Sequence, residues 1–218
     1  MKKCLALAGA ITVMTAAMPA LADDHSSSWY VGGSGGVTMP RNSTITGTST
    51  GKVDYGFSSG GDLAFGYKPE ALNFSAGDVR AEIEGGYHAL GLKKVVIGGV
   101  PNTNPKGDMK IMTVMANAYY DVHTSTPFTP YIGGGIGEAM LNFPKNNGFG
   151  NTKSGDNQLA YQFMTGVSYT PESMPSTDWS LGYRYLGSSA PQFTTAGGHV
   201  SSDALSTHSV ELGFRYKF

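Results

Sequence analysis

Charge is scarce in this chain. Only 14% of its 218 residues are Asp, Glu, Lys or Arg, against about 25% in an ordinary soluble domain. Disordered chains are charge-rich and poor in aromatics; here aromatics reach 11%, which excludes disorder. The formal net charge is −1, with no basic block, so the electrostatic footprint of a nucleic-acid binder is missing and no nucleic-acid partner is expected. Long apolar runs are missing too. Beyond residue 22 none approaches the roughly 20 residues that a helix needs to cross a bilayer, and the mean hydropathy of −0.17 speaks against a helical bundle. Cys4 is the single cysteine, so no disulfide can form within the chain. The five histidines, His25, His88, His123, His199 and His208, show no metal-ligand spacing. No metal or other cofactor is expected.

The first 22 residues read as an address. Lys2 and Lys3 precede an apolar run over 5–17, and Ala20-Leu21-Ala22 forms a small-x-small cleavage site. These are the parts of a secretory signal peptide. Cleavage after Ala22 removes Cys4, which lies too early for a lipoprotein site, and leaves 23–218 as one domain beginning with a solvated Asp23-Asp24. Losing Lys2 and Lys3 makes the chain more acidic.

What remains is rich in glycine (31) and tyrosine (12), and it repeats a period of two, the signature of strands. In the last segment Val210, Leu212, Phe214, Tyr216 and Phe218 alternate with Ser209, Glu211, Gly213, Arg215 and Lys217. In the third, Val79, Ala81, Ile83 and Tyr87 alternate with Arg80, Glu82, Glu84 and His88. Six further segments, around residues 29–37, 57–67, 113–121, 131–137, 159–169 and 179–185, behave the same way; in the fifth, Ile132 and Ile136 oppose Gly133, Gly135 and Gly137. One face is large and apolar, the other small, polar or charged. Connections alternate as well. Residues 40–55, 92–107, 143–157 and 187–204 are long and rich in Gly, Ser, Thr and Asn, whereas 68–77, 122–130 and 170–177 are shorter and carry prolines. Transmembrane barrels pair short periplasmic turns with longer outer loops. On that numbering Trp29, Tyr67, Tyr120, Tyr169, Trp179 and Phe218 fall at the periplasmic strand ends, with Phe57, Tyr87, Tyr161 and Tyr185 at the others. These are two aromatic girdles of the kind that sit at headgroup level. The expectation is an all-β, eight-stranded antiparallel up-and-down transmembrane β-barrel in the cell outer membrane, both termini periplasmic, with lipid and lipopolysaccharide around it. Phe218, ending an amphipathic strand, is the kind of signal that outer-membrane assembly machinery reads.

An eight-stranded barrel is about wide enough to be filled by its own side chains. The inward set includes Arg80, Glu82, Glu84, Asp121, Arg184, Glu211, Arg215 and Lys217. It reads either as a network that satisfies buried charge or as the lining of a narrow water path, with inward glycines leaving gaps between charged layers.

Four stretches, Arg80-Ala81-Glu82-Ile83-Glu84-Gly85-Gly86-Tyr87, Met115-Ala116-Asn117-Ala118-Tyr119-Tyr120-Asp121, Pro130-Tyr131-Ile132-Gly133-Gly134-Gly135-Ile136-Gly137 and Ala160-Tyr161-Gln162, with the C-terminal strand, resemble the bacterial surface-antigen and opacity family of small outer-membrane barrels. The resemblance spans 28–218 and implies an eight-stranded barrel displayed at the cell surface. Some members of that family are adhesins or immune targets and others small porins. The loops carry no resemblance, and function sits in them.

A search for catalytic sets finds one faint pattern. His199-Val200-Ser201 with Glu211 resembles the His-x-Ser and Glu set of lipid A deacylases, and such a triad is sound chemistry. Ser202 stands where that motif has Asn, and Glu211 faces inward by parity. The expectation is no enzyme. The loops at 41–52, 96–105 and 144–156 are the candidate surfaces for a host or matrix ligand, and their low charge argues against capture of polyanions. The reading is a surface antigen, structural protein or adhesin acting through four outer loops. A small porin is the alternative, and a lipid A-modifying hydrolase a remote one.

Overall fold

The computed structural model describes residues 28–47, 50–97, 99–103, 108–142, 157–190, 192–195 and 198–218. The leader, Cys4, Asp23-Asp24, His25 and the 144–156 loop lie outside these residues, as do the side chains of His199 and Ser201.

Alternation of large apolar with small or polar residues turns each segment into a two-faced strand. Eight long strands form: β1 (Ser28–Pro40), β2 (Gly51–Lys68), β3 (Gly77–Ile97), β4 (Asp108–Val122), β5 (Phe128–Asn142), β6 (Asn157–Tyr169), β7 (Thr177–Ser188) and β8 (Ser206–Lys217). Each pairs antiparallel with the next, and β1 closes on β8 from Tyr30↔Lys217 to Pro40↔Thr207. Closure leaves no long strand with an unpaired edge.

The barrel is inside out relative to a soluble protein. Leu63 (71% exposed), Leu212 (70%), Ile136 and Leu159 (67%) face outward, while Arg80, Glu84, Asp62 and Arg184 are buried within. The near end, where β1 begins and β8 ends, closes with compact connections. One holds a 3-10 turn at Glu70–Leu72. Another runs from His123 to Pro127 and is tied by donation from His123 N to Ala76 O at 3.0 Å. Pro130, expected in that connection, belongs to β5. It lies just beyond the last β4–β5 pair, Asp121↔Tyr131, where a missing N–H removes nothing from that ladder.

At the far end the strands run further than the composition of the loops suggested. Parts of 40–55, 92–107 and 187–204 are strand: Ser43–Gly47, the first residues of β2, the end of β3, Val100–Asn102, Gln192–Thr195 and Gly198–Ser202. Thr44, Ile45, Thr46, Val53, Val95, Val96 and Ile97 are β-branched, and threonine favours strands as much as it marks loops. The hairpin 192–202 pairs with Ser43–Gly47, which pairs with β2. The first and last far-end loops thus share one sheet. Two irregularities of the β2–β3 ladder, between Asp54 and Tyr55 and between Tyr55 and Ser58, bend it there, as bulges do. Gly91 is required at the second: a Cβ would lie 2.3 Å from the Phe57 carbonyl oxygen.

Candidate functional site

The lumen is where this chain concentrates its charge, and the side chains there form tiers set by strand register. Nearest the termini, the Asp178 carboxylate accepts from Arg215 Nη2 at 2.7 Å, Lys217 Nζ at 2.9 Å and Thr170 Oγ1 at 2.8 Å. Asp78 takes Lys68 Nζ at 2.9 Å and His123 Nε2 at 3.0 Å. One tier deeper, Arg80 donates from Nε to Asp121 at 2.9 Å and from Nη1 to Glu82 at 3.3 Å. Its guanidinium lies 3.7 Å from the centroid of the Tyr119 ring, a cation–π contact. Glu82 also accepts from the Tyr30 and Tyr119 hydroxyls (3.0 and 2.9 Å) and from Asn117 Nδ2 at 3.1 Å.

The next tier centres on Arg184, which faces three carboxylates. It holds Glu84 through both terminal nitrogens, Glu211 at 2.9 Å and Asp62 at 3.5 Å. Gln162 fills the remaining sites, accepting from Arg184 at 2.8 Å and donating to Glu84 at 3.0 Å and Asn117 at 2.7 Å. His88 Nε2 meets Asp62 at 3.1 Å. Arg80, Glu82, Glu84, Asp121, Arg184, Glu211, Arg215 and Lys217 therefore lie inside one wall in a single network, joined from Arg215 to Asp121 at 3.6 Å and from Glu82 through Asn117 and Gln162 to Arg184. Sequence reasoning left Asp62, Asp78, Asp178, Lys68 and His88 out of the charged set, although the parity of the same strands points them inward.

Beyond Arg184 charge gives way to an apolar cluster on one side of the lumen and to buried Thr38, Ser58, Ser188 and Thr207 on the other. Leu90, Met109, Ile111, Met115, Ala139, Leu141, Ala160, Leu186 and Leu205 form one buried cluster at the far end, with Tyr55 packed against it. This corrects the expectation that the inward face is small or polar throughout: β4 turns Met109, Ile111, Met115 and Tyr119 inward.

Most of the inward glycines do not leave gaps, although Gly32, Gly182 and Gly213 line a small cavity. Across the β4–β5 ladder Tyr119, Asn117 and Met115 pair with Gly133, Gly135 and Gly137, and a Cβ at those glycines would come within 2.4 Å of Tyr119, 1.9 Å of Asn117 and 2.8 Å of Met115. Tyr30 lies over Gly66, Tyr131 over Gly166 and Gly182, and His88 over Gly60 in the same way. At Gly60, Gly66, Gly133 and Gly135 the missing side chain is a berth for a larger neighbour, whereas Gly36 and Gly137 lie closest to neighbouring backbone. Among the described residues, cavities of about 90 and 120 Å³ lie within the charged tiers, and no residue of the apolar cluster lines either.

His123 lies in a connection outside the barrel wall. Its hydrogen bond to Asp78 raises its pKa above the ordinary 6.5, because the carboxylate favours the charged imidazolium. The pair's stabilisation is fully present below the ordinary histidine value and fades as pH rises through the raised one. An NMR titration of His123 is expected to show an elevated midpoint, returning to the ordinary value in Asp78→Asn.

On the outer wall at the near end, Trp29 packs on Phe65 (5.1 Å) and Tyr67 (4.6 Å), Phe128 on Tyr169 (5.1 Å) and Trp179 on Phe214 (6.1 Å). Tyr120 lies against Gly77. Phe218 closes the row, its N–H donating to Trp29 O at 3.0 Å.

Known proteins carry the same pattern. Outer membrane protein PagN of Salmonella typhimurium is 29% identical over 182 residues, covering 73% of this chain and 72% of PagN. Among solved structures, Neisserial surface protein A superposes over 89% of this chain and all of its own, with a TM-score of 0.53 at 20% identity. OprG from Pseudomonas aeruginosa covers 88% and 95% with a TM-score of 0.55 at 16% identity. The profile of the outer membrane protein beta-barrel domain matches residues 8–218. Apolar outside, ion-paired inside and closed by eight strands, this chain belongs to the outer membrane protein beta-barrel domain family, with its termini at the periplasmic face.

Proposed function

We propose that this protein works at the cell surface through its outer loops, as a surface antigen, structural protein or adhesin, and that its lumen is a structural core and not a path for solutes. One observation carries the reading: an apolar cluster stands between the charged tiers and the cell exterior. A porin needs a continuous polar lining, and glycine berths filled by Tyr119 and Asn117 work against one. The loops, in contrast, are built upon. The hairpin 192–202 and the strand Ser43–Gly47 extend the sheet outward, and Asp203 fastens Thr44 through N–H···carboxylate and backbone bonds of 2.9 and 3.0 Å. A preordered surface loses less entropy when it binds.

We read the chain as non-enzymatic. Glu211, the carboxylate that the His199 and Ser201 pattern would need, is engaged by Arg184 and Ser34 within the wall. Residues 1–22 serve as the cleaved export signal, the C-terminal strand ending at Phe218 as the segment offered to the assembly machinery, and the near-end aromatics as the periplasmic girdle. The ligand class for the loops is a host or matrix molecule bound by hydrogen bonds. Cells displaying the protein are expected to adhere to immobilised matrix, and replacing residues 192–202 by a short turn is expected to reduce adherence to that of cells lacking it, with heat-modifiable gel migration retained. Undiminished adherence by the folded variant would overturn the loop assignment.

A further inference from the structure

Strand parity turns one imidazole away from the lumen network. His208 is on the lipid-facing side of β8, one step outward from exposed Val210 and Leu212. It pairs across the ladder with Tyr185 of β7 and with exposed Met39 of β1. Ionisable groups turned toward a bilayer are rare and costly, and mark sites of function. This one is not isolated. The Tyr183 hydroxyl and His208 Nδ1 are 2.6 Å apart. The Tyr185 ring lies 5.3 Å from the imidazole, and the Tyr161 ring 6.1 Å from Tyr185. Gly187, which pairs with Tyr161, makes room for that ring: a Cβ there would sit 2.6 Å from its Cζ.

A cation completes the corner. Arg41 follows β1 directly and donates its backbone N–H to Ser206 O at 2.9 Å. It is exposed and has no carboxylate partner among the described residues. The five lumen cations, Lys68, Arg80, Arg184, Arg215 and Lys217, each have one. An imidazole and three tyrosines therefore meet on the outer wall at the level of the upper aromatic ring, where lipid headgroups begin, with exposed Arg41 anchored beside them through its backbone at Ser206.

We propose that this cluster binds the phosphate-bearing saccharide headgroup of an outer-leaflet lipid. Arg41 and His208 face the phosphate, and the hydroxyls of Tyr161 and Tyr185 donate to its oxygens or to the sugar. The occupant follows from location and charge. Membrane lipid is what covers this wall of an outer-membrane barrel, and the planar guanidinium fork matches a phosphate as a carbonyl-only headgroup would not. The site is independent of what the loops touch.

The test uses the mature protein in lipid nanodiscs with three probes: bis-phosphorylated lipid A, the same lipid A after phosphatase treatment, and inorganic phosphate. Lipid retained in native mass spectra and the imidazole NMR signal of His208 are read. Phosphorylated lipid A is expected to be retained about tenfold better than the dephosphorylated form, as for a charge-assisted contact, and to shift His208. Arg41→Gln combined with His208→Phe, which suits a lipid-facing wall, is expected to remove that preference. Equal retention of both lipids by the unmodified protein overturns the proposal even if the variant does not fold. So does a His208 shift from inorganic phosphate as large as that from the lipid, or a folded variant that keeps the preference.

Discussion

Replacing Arg184 with methionine is expected to lower the unfolding free energy of the barrel in lipid vesicles by about 3–5 kcal/mol, the usual cost of stranding a buried charge partner. Glu84, Glu211 and Asp62 all lean on this one guanidinium, and all three are buried. Without Arg184 they face one another, with His88 as the remaining basic neighbour. Urea unfolding followed by tryptophan fluorescence reads the loss. Adding Glu84→Gln, Asp62→Asn and Glu211→Gln to Arg184→Met is expected to restore most of it, since neutral amides keep hydrogen-bonding capacity without the charge. A single-variant loss below about 1 kcal/mol, the scale of exposed pairs, would mean that water solvates these carboxylates and that the lumen is wet at this tier.

Gly133→Val is expected to destabilise the barrel by about 1–3 kcal/mol, through overpacking. The Tyr119 ring, 2.4 Å from where the new Cβ would stand, has nowhere to go. Arg80 covers one side at 3.7 Å, and Tyr131 meets its edge at 6.0 Å between centroids. Tyr119→Ala removes the obstruction, so Gly133→Val made in that background is expected to cost under about 1 kcal/mol. Neighbours that share a space couple in this way. Additive losses would show that the glycine serves the backbone and is no berth for the ring.

Both predictions fall on residues that the sequence presents unequally. The strands were legible because one period of two ran through each of them, and because lipid outside and side chains inside enforce opposite faces. Leu212 against Glu211, or Ile83 against Glu84, reveals a membrane wall without coordinates. Partners across the lumen were not legible. Arg184 and Glu84 are far apart along the chain and meet only because of stagger around the barrel, which alternation does not encode. The apolar plug was hidden for a different reason. Met109, Ile111 and Met115 are interleaved with the apolar outward residues Met112 and Val114, so hydropathy is high on both faces and the period weakens. The glycines misled in the other direction. Gly133 and Gly135 look like empty space along one strand; only pairing with β4 shows that Tyr119 and Asn117 occupy it. At the far end, threonine-rich stretches such as Ser43–Gly47 looked like loop because their pairing partners, at 51–53 and 200–202, are remote in sequence or separated by a turn.

Planar-bilayer recording of the refolded mature protein tests the central claim most directly. A lumen packed with ion pairs and sealed by Leu90, Met109, Ile111 and Leu141 predicts a silent membrane when the unmodified protein inserts, with insertion verified by heat-modifiable migration of the recovered sample. Reproducible unitary conductance from correctly inserted protein would contradict the closed core and return the chain to the small porins.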